Sequence, residues 1–244
     1  MFAVRSDEPI RVDRASVGLQ RLAVEHKDGW GVARFDGKIP HVETSVAAAH
    51  ECERFDALMQ ETSTTSLLAH IRLASVGTVH EHNTHPFFAN GWAFMHNGTL
   101  ANFAASRASL EAEIDPAWRR WMKGDTDSER CFALFLTYLK GSTNVELSEV
   151  SRALVRVMNV AGAICDRGAE GSKRSAMNFI VSDGKRLIAT RRGRTLYTAQ
   201  GDQTRFIASE HLWGGEAWEC VPEDGVVSID ESLALRQSVL TDWS

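Results

Sequence analysis

Polar residues that could do chemistry follow two apolar runs and open a helical segment in the middle of the chain. Arg72 follows the first run and could hold a carboxylate by a fork of two hydrogen bonds. Asn97-Gly98 follows the second, and its side-chain amide and backbone N–H could stabilise a developing oxyanion in acyl transfer. Asp127, at the predicted helix start, could accept hydrogen bonds from a substrate ammonium. Together Arg72 and Asp127 would suit the two charges of an α-amino acid.

Each of these residues also has a purely structural interpretation. Asn-Gly is the strongest two-residue hairpin signal, so the dipeptide at 97–98 taken alone favours a turn. Asp127 taken alone favours a helix start, where a carboxylate interacts well with the helix dipole. The chemical interpretation therefore requires that Arg72, Asn97 and Asp127 meet in one pocket.

The histidines offer a second possible site. His80, His82 and His85 have the spacing of metal ligands, but no carboxylate or cysteine pattern completes the set, and loop histidines are commonly solvated. His70 and His96 lie among apolar residues, which is typical of hydrogen-bonded core histidines. No Gly-x-Ser-x-Gly elbow or glycine-rich phosphate loop occurs. We therefore expect no metal ion and no cofactor.

Hydrophobic periodicity places the polar residues at the ends of predicted strands and helices. It predicts strands over residues 66–71 and 92–95, and an opening strand over 2–5 that ends at Asp7-Glu8-Pro9. Further short strands are predicted over residues 32–35, 177–181, 187–191, 195–198, 205–209 and 226–229. Helices are predicted over residues 16–25, 47–60, 101–114, 128–140 and 146–165, the last two opened by the capping patterns Thr126-x-x-Glu129 and Thr143-x-x-Glu146. Strand blocks on both sides of a helical block predict sheets covered by helices within a single domain over residues 1–244.

Composition favours a soluble globular protein. The chain has 43% apolar and 24% charged residues, and its net charge of −5 argues against a nucleic-acid partner. The four cysteines are far apart in sequence, so we expect them to be reduced and structural in a cytoplasmic protein. No apolar run reaches the length of a membrane span, and no signal-peptide pattern opens the sequence.

Motifs in a fixed order carry a resemblance to a known family. They are His26-Lys-Asp-Gly-Trp-Gly31, Ala69-His-Ile-Arg72 with Ala74-Ser-Val-Gly77, Asn83-Thr-His-Pro86, His96-Asn-Gly98, Thr126-Asp-Ser-Glu129, Ser209-Glu-His-Leu212 and Val221-Pro222. In this order and spacing they resemble the class II glutamine amidotransferases. The nearest branch is that of stand-alone proteins similar to bacterial YafJ, to the ergothioneine-pathway γ-glutamyl hydrolase and to the yeast glutathione-degrading amidotransferase subunit.

The resemblance implies a fold, an activity and a set of site residues. The fold would be that of the N-terminal nucleophile hydrolases, an α+β four-layer αββα sandwich of two antiparallel sheets. The substrate would be glutamine or another γ-glutamyl amide, and the ammonia could pass to a synthase partner or the protein could serve a peptidase subunit. By position in the motifs, Arg72 would bind the α-carboxylate, Asp127 the α-ammonium, and Asn97 and Gly98 the oxyanion. The resemblance also implies that Ser75 assists substrate binding and that His85 and Trp30 support the pocket.

The chain departs from the family at the nucleophile. The family uses a cysteine exposed as the first residue after removal of the initiator Met, with its α-amine as general base. Here Phe2 follows Met1, and no cysteine precedes Cys52. Phe2 aligns with the Phe of the family opening Met-Cys-Arg-Leu-Phe, so we expect that the start as given lacks Met-Cys-Arg. The alternatives are a catalytically inactive γ-glutamyl-binding or partner subunit of the same fold, and a metal-dependent hydrolase that uses the histidine loop. Whether the chain as given is an enzyme stays open at this point.

Overall fold

The structure, a computed structural model, describes residues 1–142, 144–169, 171–215 and 217–243. Its strands are β1 (Phe2–Arg11), β2 (Trp30–Phe35), β3 (Pro40–Ser45), β4 (Ser63–Ile71), β5 (Phe87–Ala89), β6 (Trp92–Thr99), β7 (Ala176–Ser182), β8 (Leu187–Thr190), β9 (Tyr197–Gly201), β10 (Thr204–Ala208), β11 (Glu219–Cys220), β12 (Gly225–Ile229) and β13 (Leu235–Val239). Its α-helices are α1 (Asp13–Ala23), α2 (Glu53–Glu61), α3 (Phe103–Ala112), α4 (Pro116–Trp121), α5 (Asp127–Tyr138) and α6 (Leu147–Cys165).

The strands form two sheets in which every pair of neighbours is antiparallel within the described residues. One sheet has the order β11-β9-β10-β1-β4-β2-β3, and the other has the order β13-β12-β8-β7-β6-β5. We refer to them as the β4 sheet and the β6 sheet. An antiparallel sheet must pack at least one apolar face against another layer, and here each sheet packs against other layers on both of its faces.

Three apolar clusters define four layers. Helices α1 and α2 pack on the outer face of the β4 sheet through residues such as Leu19 and Phe55. The inner faces of the two sheets meet through residues such as Leu68 and Met95. Helices α3, α5 and α6 cover the outer face of the β6 sheet, where Phe132 stacks on Phe94 at 5.2 Å between ring centroids. The expected α+β sandwich of two antiparallel sheets between helix layers is confirmed.

Strand β1 lies in the middle of its sheet, between β4 and β10, and is longer than predicted. The prediction that Asp7-Glu8-Pro9 ends it is wrong, because pairing with β4 resumes at Ile10 after an irregularity in register that follows Arg5. An irregularity of this kind accommodates the missing N–H of proline. Side chains alternate along the strand: Phe2 packs against the helices, and Met1 and Ala3 lie between the sheets.

The dipeptide Asn97-Gly98 lies inside a strand. Strand β6 runs through Thr99, and Asn97 and Gly98 pair with Asn178 and Met177 of β7. The hairpin interpretation of Asn-Gly is therefore wrong here, because the long-range partner β7 decides the backbone conformation.

The helix starts follow capping rules with two differences from prediction. Thr126 caps α5 by accepting from the Glu129 N–H at 3.2 Å, but the Glu129 carboxylate turns away to the backbone N–H groups of Lys123 and Gly124. Only half of the predicted capping box forms. Thr143 lies outside the described residues, and a capping box formed by Glu146 and Glu149 opens α6.

The segment 47–60, predicted as one helix, divides into two. A single 3₁₀ turn over Ala49–Glu51 precedes α2, with Cys52 extended between them. Strands β3, β5, β11 and β13 were not predicted from their short or polar sequences. No helix in the described part of the chain is long and apolar enough to cross a membrane.

Candidate functional site

A cleft of about 500 Å³ opens between the ends of strands β4 and β6. It is lined by six of the seven residues that the resemblance singles out, which are Arg72, Ser75, His85, Asn97, Gly98 and Asp127. Met1 lines the same cleft. The two charged groups and the Asn-Gly pair, which are separated by up to 55 positions in sequence, therefore share one cavity.

Arg72 continues from the end of β4 and organises the loop that follows it. Its backbone N–H donates to the Gly29 carbonyl at 2.8 Å, which extends the pairing with β2. Its guanidinium donates to the carbonyls of Val76 and Thr78 at 3.4 and 3.1 Å, and to that of Asp28 at 3.5 Å. A guanidinium has five N–H donors, so two remain for a ligand. Burial lowers the pKa of Arg72, and the nearby Asp28 and Asp125 oppose that shift.

The motif at residues 26–31 contacts the loop after Arg72 and the segment that carries His85. The Asp28 carboxylate accepts from the Ala74 N–H at 2.7 Å and so fixes the loop that carries Ser75. At Gly31 a Cβ atom would strike the backbone carbonyl oxygen of His85. The glycine therefore permits the His85 segment to lie directly against β2, which brings His85 into the cleft wall.

Asn97 and Gly98 bring polar groups into the cleft from β6. The Asn97 side chain has no hydrogen-bond partner among the described residues, and it is half-buried. A Cβ at position 98 would collide with the Ala176 carbonyl oxygen of β7, so only glycine fits this backbone. Asn97 thus offers a free amide beside a backbone that cannot carry a larger side chain.

Asp127 is almost fully buried at the start of α5 and is held rigidly. One carboxylate oxygen accepts from the Leu100 N–H at 2.7 Å, and the other accepts from the Ser128 N–H at 2.8 Å. The first bond joins the helix start to the end of β6. Because a carboxylate has about four acceptor positions, Asp127 can accept further bonds from a cation in the cleft.

His96 connects the strand to the same helix. Its Nε2 lies 2.9 Å from the Ala176 carbonyl oxygen and must donate to it, because a carbonyl only accepts. Burial lowers the pKa of His96, although the Asp127 carboxylate acts in the opposite direction. A neutral ring with its proton on Nε2 accepts at Nδ1, so the Ser128 hydroxyl, 2.9 Å away, donates to it.

His70 and His85 form a buried pair in the cleft wall, with ring centroids 4.4 Å apart. His70 Nε2 donates to the His96 carbonyl at 3.2 Å. Its Nδ1 and both ring nitrogens of His85 have no hydrogen-bond partner in the described part of the chain. Burial lowers the pKa of both imidazoles well below the usual histidine value. Positive charge on His85 lowers the pKa of His70 further, and positive charge on His96 and Arg72 lowers that of His85.

His85 therefore lies apart from the other two histidines of the possible metal-ligand set. His80 and His82 are exposed and lie ring against ring at 4.8 Å. Among the described residues no group of three or more His, Cys, Asp or Glu side chains is arranged to hold a metal ion.

Met1 is 5% exposed, and its amino group is buried where the residue lines the cleft. The amine donates to Ser209 Oγ at 2.9 Å, and burial lowers its pKa to about 5, an effect that Glu210 partly offsets. A neighbouring hydrogen bond joins Thr195 Oγ1 to the Ser209 carbonyl at 2.8 Å. The amino end of the chain and the loop after β10 therefore form one wall of the cleft.

Comparison with known protein families shows which family has this sequence pattern. The profile of the class-II glutamine amidotransferases matches residues 2–223. The chain belongs to this family.

Two curated relatives fall in the branch that the motifs resemble. The chain is 29% identical over 195 residues to "Probable glutamine amidotransferase DUG3" of Saccharomyces cerevisiae. This match covers 71% of this chain and 53% of that protein. It is 25% identical over 223 residues to "Gamma-glutamyl-hercynylcysteine sulfoxide hydrolase" of Mycobacterium tuberculosis, covering 91% of this chain and 83% of that one. The chain spans about half the length of the first curated relatives that it matches.

A solved structure shares the fold. A glutamine aminotransferase class-II domain protein from Silicibacter pomeroyi superposes with a TM-score of 0.71 over 98% of both chains, at 22% identity. The two proteins therefore share one fold, in which two antiparallel sheets lie between layers of helices.

Two of the expected site residues lie away from the centre of the cleft, one at its mouth and one in the core. Ser75 is at the mouth, where its hydroxyl hydrogen-bonds to Thr99 Oγ1 at 2.7 Å. Trp30 does not line the cleft: it lies in the core behind β4, against Phe55 with 5.1 Å between ring centroids. It pairs with Ile71, so any support from Trp30 acts through the strand that carries Arg72.

Sequence reasoning assigned no role to the third wall of the cleft, which is formed by Arg194, Thr195, Ser209 and Glu210. The signal was present, because Ser209-Glu-His-Leu212 is one of the motifs that carry the resemblance. What sequence could not provide was the pairing of β1 with β10, which brings Ser209 to the amino group of Met1.

Proposed function

We propose that this chain represents a hydrolase of γ-glutamyl amides, with glutamine or another γ-glutamyl compound as substrate. The observation that carries the proposal is that Arg72, Asp127, Asn97 and Gly98 line one cleft at the amino end of the chain. Residues 1–244 would act as one cytoplasmic domain. Released ammonia or amine would leave to solvent, to a synthase or to a peptidase partner.

The glutamyl group would be held by its two charges. The positive charge and the uncommitted N–H donors of Arg72 suit an α-carboxylate, and the rigidly held Asp127 carboxylate suits an α-ammonium. Ser75 would bind from the mouth of the cleft, and His85 would shape its wall. The neutral state of His70 and His85 supports this assignment, because an additional buried cation would repel the ammonium.

The scissile carbonyl would lie beside β6. The free amide of Asn97 and the backbone of Gly98 would donate to its oxygen as negative charge develops there. Removal of one such donor costs about 10²–10³-fold in rate in well-studied acyl-transfer enzymes.

The nucleophile would be a cysteine two positions before Met1. If the β1–β4 register, in which Phe2 pairs with Ala69, continues in the same direction, that residue lies opposite Arg72. Alternation places it on the same face as Met1 and Ala3, toward the space between the sheets. Both inferences support attack on a carbonyl held at Asn97. The free α-amine of that cysteine would serve as the general base, since an α-amino group has a pKa near neutrality.

The alternative is a chain that binds γ-glutamyl compounds without turning them over. The direct test compares the chain as given with a chain extended by Met-Cys-Arg, from which the initiator Met is removed. We expect glutaminase or γ-glutamyl hydrolase activity only in the extended chain, and loss of that activity when its added Cys is replaced by Ala. A folded extended chain that binds γ-glutamyl ligands and hydrolyses none would support the alternative.

Binding can be tested separately on the chain as given. Arg72→Gln removes the guanidinium, and a charge-assisted hydrogen bond contributes about 1.5–3 kcal/mol, so γ-glutamyl affinity should fall about 10- to 100-fold by calorimetry. Asp127→Asn keeps the size of the side chain and should weaken binding similarly. Arg236→Gln, on the exposed strand β13, is the matched control and should bind normally. Normal affinity in both site variants would refute the proposed orientation.

A further inference from the structure

A second cavity adjoins the cleft and has no role in the proposal so far. It has a volume of about 480 Å³ and lies beyond the end of β6. The two cavities share Thr99 and Arg194 in their walls. Leu100, whose N–H is bonded to Asp127, lines the second cavity as well. A molecule longer than glutamine could therefore extend from the first cavity into the second past Thr99.

The second cavity is rich in cationic side chains, although the chain as a whole carries a net charge of −5. Four cationic side chains and two carboxylates line it: Lys173, Arg174, Arg192, Arg194, Glu223 and Asp224. A cluster of this kind on an acidic protein favours a small anion.

The carboxylates of the second cavity are already committed. Asp224 pairs with Arg192 at 2.5 Å, and Glu223 accepts from the Gly193 N–H at 2.7 Å. Glu223 also lies 3.6 Å from Arg191. These two acids are therefore poorly placed to neutralise further cations.

Two cations in the second cavity remain without an ion-pair partner in the part of the chain that the structure describes. They are Lys173 and Arg194, whereas Arg174 lies 3.6 Å from the Asp166 carboxylate. Arg194 is the one that lines both cavities. An anion that enters from the cleft would meet Arg194 first.

We propose that the second cavity binds a carboxylate on the amine side of the substrate, so that the preferred substrates are γ-glutamyl amino acids or peptides. This inference rests on the proposed function, since it extends the ligand held by Arg72 and Asp127. Arg194 provides two-pronged contact with the carboxylate, and Lys173 adds a second positive charge. Glutamine, whose leaving group is ammonia, leaves this cavity unused.

The test compares two ligands of equal size that differ in one charge. Titration calorimetry on the chain as given would use γ-glutamylglycine, which ends in a carboxylate, and γ-glutamylglycinamide, which ends in a neutral amide. We expect the carboxylate ligand to bind about five- to tenfold more tightly, between the range for exposed ion pairs and that for charge-assisted hydrogen bonds. The double variant Arg194→Gln/Lys173→Gln should bring the ratio near one. Arg236→Gln should preserve the ratio.

The outcomes separate this inference from the proposed function. If both ligands bind with equal affinity, the γ-glutamyl site stands and the carboxylate subsite is overturned. If neither ligand binds, the proposed function fails and the inference fails with it. Inorganic phosphate serves as a probe for a free anion. If phosphate binds through Lys173 and Arg194 while the two γ-glutamyl ligands bind with equal affinity, the cavity is an independent anion site and the inference is overturned. Thermal unfolding of each variant shows that a lost preference is not a loss of fold.

Discussion

The buried histidines should make the stability of this protein depend strongly on pH. His70, His85 and His96 have pKa values lowered by burial, so the folded state takes up protons on them less readily than the unfolded chain. Their stabilising effect is complete above the unfolded pKa of about 6.5 and is lost as pH falls below it. The sharpest perturbation is His85→Phe, because both ring nitrogens of His85 lack partners among the described residues and Phe leaves no donor unsatisfied.

The size of the effect follows from proton linkage. A histidine that stays neutral when folded and titrates near 6.5 when unfolded costs about 2 kcal/mol of stability between pH 7 and pH 5. Burial lowers the pKa of His85 well below the usual value, so we expect His85 to stay neutral in the folded protein over this range. The difference in unfolding free energy between His85→Phe and the unchanged protein should therefore shift by about 2 kcal/mol in favour of the variant over this range. Any packing change from the larger ring adds a constant at both pH values and cancels from the shift.

Urea unfolding at pH 7, 6 and 5 measures this shift directly. His41→Gln is the control, because His41 is 69% exposed on β3 and its nearest acidic neighbour, Asp36, is 3.9 Å away. The control should follow the unchanged protein at each pH. A His85→Phe curve that runs parallel to that of the unchanged protein from pH 7 to pH 5 would show that His85 takes up a proton normally in the folded state. The account of a buried, neutral histidine pair would then be refuted.

Two further substitutions test local geometry. Gly98→Ala would place a methyl group against the Ala176 carbonyl oxygen, and this overpacking should lower the free energy of unfolding by about 1–3 kcal/mol in urea unfolding. An unchanged free energy of unfolding would mean that β6 and β7 can separate locally at no cost. Thr126→Ala removes the acceptor for the Glu129 N–H and should cost about 1 kcal/mol in the same assay. Thr126→Ser keeps the hydroxyl and should lose much less stability than Thr126→Ala. If the two variants lose the same stability, the effect comes from packing of the threonine methyl group.

Much of the layer arrangement was predictable because the strands and helices carry strong periodic patterns. The helices near 128–140 and 146–165 are confirmed within a few residues as α5 and α6. The extent of β1 was not predictable, because residues 6–9 have no apolar pattern and pairing with β4 resumes only at Ile10 and Arg11. Strand β13 was missed for a similar reason, since its Leu235–Val239 sequence shows no alternation and depends on β12.

The site, too, was predictable only in part. Arg72 and Asn97 could be selected from sequence because they follow apolar runs, and Asp127 because it opens a predicted helix within one of the family motifs. Their convergence could not be derived, since it depends on the packing of two sheets across the interior. The Ser128–His96 bond is a further example: neighbouring motifs contain both residues, but only the folded chain brings α5 against β6.

The loop after Arg72 is already tied down before any ligand enters. The guanidinium holds the carbonyls of Val76 and Thr78, and Asp28 holds the Ala74 N–H. A compound designed for this cleft would therefore meet a rigid receptor, and little of its affinity would be spent on ordering the protein. Stiff glutamate mimics should gain more from such a shape than flexible ones, which gives inhibitor chemistry a clear direction.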